Sequence, residues 1–153
     1  VTPQSTFDNA IQIRPASLAD EAIVYDFLCA LEETTLDQTT FNTIYRQNLA
    51  NSSIHYLVAE QYGEVLGFVS CHVQYLLHHG GKVGEIQELY VRPDVRNQRI
   101  GQKLVAALNA LAIRENFVNL EVTTNQKRLD TIRFYERESF KKTHIKLVKT
   151  IQH

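Results

Sequence analysis

Between residues 84 and 111 the chain passes from a strand through a basic loop into a helix, and that passage limits what it can fold into. Glu85-Ile86-Gln87-Glu88-Leu89-Tyr90-Val91 is an apolar run carrying two carboxylates. It reads as a strand and stops at Arg92-Pro93-Asp94. The polar loop Val95-Arg96-Asn97-Gln98-Arg99-Ile100-Gly101 follows. Apolar residues then recur at helical spacing, at Ile100, Leu104, Ala107, Leu108 and Leu111. A helix start offers unpaired backbone N–H groups and the positive end of a dipole, a ready anion site. Arg96, Arg99 and Lys103 add charge there, and Gly101 admits close approach of the backbone. A phosphate grip and a pair of candidate proton-handling carboxylates thus share one segment.

The rest of the chain surrounds this segment with a mixed sheet. Residues 11–14 alternate and read as a short strand. Ser17 and Asp20 mark the start of a helix with apolar positions at Ala22, Ile23, Phe27, Leu28 and Leu31. Phe41, Ile44, Tyr45 and Leu49 predict a second helix. Strands over 54–61 and 65–77, a Tyr62-Gly63 hairpin and a His78-His79-Gly80-Gly81 turn lead into the strand over 84–91. These three strands form an antiparallel meander. A crossover helix then makes the strand over 117–123 parallel to its neighbour. A helix capped by Thr124-Asn125 follows, and Phe140 and Ile145-Lys146-Leu147-Val148 supply the last strands. The class is α/β (α+β), one mixed sheet of six to seven strands with about four helices. The expected organisation is a single domain over 1–153, with 1–9 as an N-terminal tail.

Composition excludes several functions. Sixteen Lys and Arg face seventeen Asp and Glu, a net charge of −1, which argues against nucleic acid or an anionic membrane as the main partner. No apolar run approaches the length of a membrane span, and the N-terminal residues lack a signal-peptide core, so the expected location is cytoplasmic. Cys29 and Cys71 read as buried thiols rather than a disulfide or zinc framework. The loop has neither the Gly-Lys-Ser/Thr of a Walker motif nor the three glycines of a dinucleotide fingerprint.

Arg96-x-x-Arg99-x-Gly101 instead resembles the pyrophosphate loop of the GNAT N-acetyltransferases, and the element order is similar over essentially the whole chain. The helix ending Thr131-Ile132-Arg133-Phe134-Tyr135-Glu136-Arg137-Glu138-Ser139-Phe140 resembles the same family. Arg99 and Ser139 stand where that family usually has glycine. At Arg99 the substitution implies backbone angles that suit a residue with a Cβ, and a charge able to reach a CoA phosphate. Three blocks, around Tyr75 to His79, Gly84 to Leu89 and Thr124 to Tyr135, are similar to aminoalkylphosphonate N-acetyltransferases.

The resemblance implies acetyl-CoA as cosubstrate. The backbone of Leu89, Tyr90 and Val91 would meet the thioester and pantetheine. Arg96, Asn97, Gln98, Arg99, Ile100, Gly101, Gln102 and Lys103 would hold the pyrophosphate, with Asn125 and Arg128 as further CoA contacts. Alternation sends Glu85 and Glu88 to opposite faces of an ideal strand; a bulge, which the family has in this strand, would bring them together. The resemblance then favours Glu85 as general base and Glu88 as amine orienter, and Tyr135 is the general-acid candidate, a phenol matched to a thiolate leaving group. The alternatives stay open: solvated strand carboxylates for the glutamates, a core aromatic for Tyr135, an exposed helix-start side chain for Arg128. His78, His79, Glu88 and Lys127 are candidate acceptor contacts. His78, His79, Glu85 and Glu88 are candidate ligands of a divalent metal cation, against an exposed turn for the histidines. The acceptor would be a small-molecule amine, an aminoalkylphosphonate. Another small amine, a protein amine and a non-catalytic acyl-CoA-binding module are the alternatives. Relatives imply a homodimer.

Overall fold

The structure is a computed structural model and describes residues 10–153. Its centre is a five-stranded sheet in sequential order. The strands are β1 (Gln12–Pro15), β2 (Ile54–Gln61), β3 (Glu64–Leu76), β4 (Gly81–Val91) and β5 (Asn119–Val122). The first four are antiparallel neighbours, and β5 joins β4 in parallel, as the crossover predicts. The α-helices are α1 (Glu21–Glu32), α2 (Gln38–Leu49), α3 (Ile100–Arg114) and α4 (Leu129–Arg137). Short 3-10 turns cover Leu18–Asp20, Leu77–His79 and Pro93–Gln98.

Each face of the sheet carries its own core. Val24, Phe27 and Leu28 of α1 and Tyr45 of α2 pack on Val58 and Phe68. On the other face Ile100, Leu104 and Leu108 of α3, all fully buried, pack with Tyr135 of α4 on Ala59, Val69, Cys71 and Ile86. Gly67 explains how closely α3 approaches. A Cβ there would lie 3.0 Å from the Tyr90 carbonyl, 3.1 Å from Ile100 and 3.3 Å from Leu104. The absent side chain seats the first turn of α3, and with it the basic loop, against the end of β4.

The start of α1 is fixed as the sequence suggests: the Ser17 N–H donates to the Asp20 carboxylate at 2.7 Å, and Asp20 is held by Arg14 at 2.8 Å. Asp37 caps α2 by accepting from the Thr40 N–H at 2.9 Å.

Three expectations fail. The sheet has five strands among the described residues rather than six or seven, because neither Phe140 nor residues 145–148 pair with it. Phe140 closes against Tyr135, ring centroids 5.3 Å apart, and every residue after it is exposed. An alternating pattern supplies a strand's side chains but not a neighbour to bond. Secondly, α4 begins at Leu129, later than the Thr124-Asn125 cap. Asn125 instead turns the chain locally, its side chain accepting from the Lys127 N–H at 2.9 Å. Thirdly, Arg99 has φ 58° and ψ 32°, the left-handed region that favours glycine. Ser139 has φ 71°. Both positions keep a backbone glycine would ease, at a steric cost on the order of 1–2 kcal/mol each.

Candidate active site

The bulge lies in β4. Ser70 opposes Glu88 and Cys71 opposes Ile86, so Gln87 has no opposite residue and is exposed. His72 opposes Glu85. Ser70 and His72 are two residues apart on β3 and share a face, so Glu85 and Glu88 share it too. Without Gln87 squeezed out, they would project from opposite faces. The two cross-strand rows are about 7 Å apart along the strand. This is the face of α1 and α2, where Tyr56 opposes Ser70 on the other side.

Glu88 is held firmly. Ser70, with no solvent exposure, accepts from the Glu88 N–H at 3.0 Å, and its hydroxyl contacts the Glu88 carboxylate. Glu85, half-buried, accepts from the exposed Gln87 amide at 2.5 Å, its single polar partner among the described residues. Tyr56 lies close enough to feel the Glu88 charge, its hydroxyl accepts from Asn48 Nδ2 at 2.7 Å, and burial pushes its phenol above the ordinary range. Ser70, Tyr56 and His72 were not singled out by the sequence reading. Only their register places them beside the carboxylates, although a serine inside the apolar run Phe68-Val69-Ser70-Cys71 is a polar signal in itself.

Beyond these rows the sheet opens. The last β4–β5 pair is Ile86 with Val122, so the backbone of β4 from Gln87 to Val91 has no strand neighbour on that side. Leu89, Tyr90 and Val91 form one wall of the gap. The C-terminal ends of both parallel strands point to the same edge; the basic loop follows β4 there, and the chain leading to α4 follows β5. The first helical hydrogen bond of α3 is donated by Lys103 to the Arg99 carbonyl at 3.1 Å, which leaves the N–H groups of Ile100, Gly101 and Gln102 without a helical partner. Arg96 donates through Nε to the Val91 carbonyl at 3.1 Å and lies 5.9 Å from the Tyr90 ring centre, so it is fixed at the lip of the gap. Asn97, Gln98, Arg99, Gln102 and Lys103 are exposed around it. A Cβ on Gly101 would point at Phe134, 3.4 Å away, toward α4 rather than toward an anion. Lys127 and Arg128 line a depression of about 460 Å³ with Leu129, Asp130, Thr131 and Arg133.

Tyr135 belongs to the core on the sheet face opposite the one that carries the glutamates. Burial raises its phenol well above the ordinary value. The hydroxyl makes no hydrogen bond to a described residue, yet no buried side-chain oxygen or nitrogen among those residues lacks a partner. The hydroxyl therefore opens onto accessible space. Cys71 is fully buried, and burial pushes its thiol up to about 12, which unsuits it for nucleophilic attack.

The histidines do not join the carboxylates. His78 and His79 occupy the β3–β4 turn, and about 13 Å of strand separates Gly81 from Glu85. His79 lies 3.7 Å from Glu121 on β5. No group of three or more metal-ligating side chains forms among the described residues, so the expected metal set of His78, His79, Glu85 and Glu88 is not assembled.

Residues 21–140 match the model of the acetyltransferase (GNAT) family. The chain belongs to that family. It is similar to the aminoalkylphosphonate N-acetyltransferase of Salmonella typhimurium, 39% identical over 140 residues, 92% of this chain and 91% of that one. It also resembles an uncharacterized N-acetyltransferase of Archaeoglobus fulgidus, 33% identical over 56% of this chain and 59% of the other. Two solved structures share the fold. A transcriptional regulator from Bacillus halodurans superposes with a TM-score of 0.86 at 21% identity, over 93% of this chain and all of that one. Glucosamine-6-phosphate N-acetyltransferase from Arabidopsis thaliana does so with a TM-score of 0.78 at 18% identity, over 94% of this chain and all of that one.

This GNAT protein is therefore an acyltransferase, and GNAT acetyltransferases use acetyl-CoA. Its residues fit that molecule: helix-start amides without a helical partner, flanked by Arg96, Arg99 and Lys103, follow the stretch of β4 that has no strand neighbour.

Proposed function

We propose that this acetyltransferase transfers the acetyl group of acetyl-CoA to the primary amine of a small aminoalkylphosphonate such as 2-aminoethylphosphonate. The observation that carries the reading is the bulge at Gln87, which sets two carboxylates on one face beside an open strand gap. The acceptor class is supported by the 39% identical relative of that name.

The thioester supplies an activated acyl carbon; the chain supplies position and protons. The amides of Ile100, Gly101 and Gln102 grip the pyrophosphate, with charge from Arg96, Arg99 and Lys103. Asn125 and Arg128 extend that grip from the start of α4. The backbone of Leu89, Tyr90 and Val91 aligns the pantetheine arm, and an N–H there polarises the carbonyl. Glu88, pinned by Ser70, orients the ammonium. Glu85, one row further back and less tightly held, takes its proton through a water. Tyr135, reaching the gap from the other face, protonates the departing sulfur. Lys127 provides charge for the phosphonate, and His78 and His79, on the β3–β4 turn about 13 Å of strand from Glu85, take no part in this scheme. The described residues act as one catalytic domain in this scheme.

Thiol release from acetyl-CoA tests it, measured with 2-aminoethylphosphonate, ethanolamine, spermidine and a peptide with a free N-terminus. The phosphonate should give the highest kcat/KM. Turnover of the others but not of any aminophosphonate would remove the acceptor assignment.

A further inference from the structure

Three carboxylates project from the sheet face that α1 and α2 cover, and two of them have polar partners on a neighbouring strand or turn. Glu88 has Ser70. Glu121 pairs with Glu85 in the β4–β5 register, so it projects from the same face, and it has His79 at 3.7 Å and Asn119 Nδ2 at 3.4 Å. Glu85 stands between these two. Only the Gln87 amide touches its carboxylate, at Oε1, which leaves Oε2 free among the described residues. The residue opposite Glu85 on β3 is His72.

His72 is half-buried, and its ring makes no hydrogen bond, ion pair or ring contact to a described residue. A polar ring held partly out of water without a partner is unusual enough to call for a use. Its direct cross-strand neighbours are Ile54 on β2 and Glu85 on β4. Tyr56, Ser70 and Glu88 occupy the next row, and Glu121 lies one strand beyond Glu85. The ion pair of α1 and α2, Glu21 with Arg46 at 2.9 Å, joins those helices to each other rather than to this row. His55, the other histidine within a strand, opposes Cys71 and so faces α3. Opposed residues of an antiparallel pair have Cβ atoms about 4.5–5.5 Å apart, so one water spans the distance from the His72 ring to Glu85 Oε2.

The proposed reaction leaves a proton to be removed. An ammonium acceptor loses two protons on becoming an amide; one goes to the departing sulfur and the other to Glu85. That carboxylate must shed its proton before the next turnover. Imidazole is the side chain that both takes and gives a proton readily near neutral pH.

We propose that His72 carries this proton from Glu85 to solvent. The inference rests on the assignment of Glu85 as base. The ammonium N–H bond breaks and its proton reaches the Glu85 carboxylate through water. The Glu85 O–H bond then breaks as an N–H bond forms on the neutral His72 ring, and the resulting imidazolium gives the proton to bulk water. No electrons change hands, and both side chains return to their starting state. His72 touches neither acetyl-CoA nor the acceptor; it is a positioning residue that acts through Glu85.

The test is kcat from pH 6 to 10 for the wild type, His72→Gln, Glu85→Gln and the double variant, with and without added imidazole, on whichever amine turns over fastest. His72→Gln should lower kcat about 10-fold near pH 7 with the amine KM unchanged, and the loss should shrink toward pH 10. Added imidazole should restore several-fold of it. In the Glu85→Gln background the same change should cost less than about twofold. Should His72→Gln not fold, His72→Asn takes its place in all four measurements. An unchanged kcat would overturn the proposal, as would a loss that is equal at every pH and deaf to imidazole, the mark of a structural role. A loss that persists in full in the Glu85→Gln background would overturn it while leaving Glu85 as base. Wild-type kcat in Glu85→Gln would instead remove the base assignment, and the relay with it.

Discussion

Ser70 and Glu88 are joined twice across β3 and β4: the Glu88 N–H donates to the Ser70 hydroxyl at 3.0 Å, and that hydroxyl contacts the Glu88 carboxylate. A fully buried serine thus fixes the carboxylate at the head of the strand gap. Ser70→Ala leaves a buried N–H and a carboxylate without their partner. The expected cost is about 1–3 kcal/mol of stability, with a rise in the amine KM that exceeds any fall in kcat. Denaturant unfolding and steady-state kinetics read the two effects separately. An unchanged KM would mean that Ser70 serves the fold alone.

Arg99 and Ser139 both sit in the left-handed region without being glycine. Arg99→Gly and Ser139→Gly should each stabilise the protein by about 0.5–1 kcal/mol, after the greater freedom of glycine in the unfolded chain is set against the relieved strain. That corresponds to a Tm rise of about 1–4 °C. The two differ in binding. Arg99→Gly removes a charge beside the helix start and should weaken CoA about two- to fivefold, whereas Ser139→Gly should leave affinity unchanged. Calorimetric unfolding and CoA titration check both.

Tyr135→Phe removes a hydroxyl that bonds to no described residue, so stability should change by less than about 0.5 kcal/mol. If that hydroxyl protonates the sulfur, kcat should fall on the order of 100-fold. Burial raises the phenol's pKa, so the wild-type hydroxyl stays protonated past the ordinary pH of 10 for tyrosine, and the rate should show no alkaline fall from this group below that pH. A fully active Tyr135→Phe variant would return Tyr135 to the core.

Asp20 binds Arg14 at 2.8 and 2.9 Å and accepts from the Ser17 N–H. The Arg14 hydrogen bonds are the chief reason its carboxyl titrates below the ordinary range. A lowered folded-state pKa contributes stability that is present above the ordinary carboxylate value and is lost as pH falls through the folded one. Asp20→Asn should therefore cost about 1–2 kcal/mol at pH 7, since Arg14 keeps Glu60 at 2.8 Å, and the gap to wild type should narrow below pH 4. Unfolding curves from pH 7 to 2.5 check the sign.

Much of this arrangement was legible in the chain. The meander, the parallel crossover and the strand–loop–helix grip follow from apolar periodicity and from Arg96, Pro93 and Gly101. What stayed hidden depends on partners rather than on local pattern. Gln87 carries no mark of a bulge; only a resemblance suggested one. Ser70, Tyr56 and His72 acquire a role only through cross-strand register. Residues 145–148 read as a strand by composition, but none forms there, because no neighbour among the described residues bonds to them. Arg99 misled the sequence reading because a side chain normally signals ordinary backbone angles, whereas here the loop keeps the glycine geometry against it.

The most direct test of the central claim is the pH dependence of Glu85→Gln set beside Glu88→Gln. If Glu85 deprotonates the amine, its loss should lower kcat about 100-fold or more near pH 7 and much less at pH 10, where the amine is already free. Glu88→Gln should raise the amine KM at every pH. An equal loss in the Glu85 variant at all pH values would contradict the account.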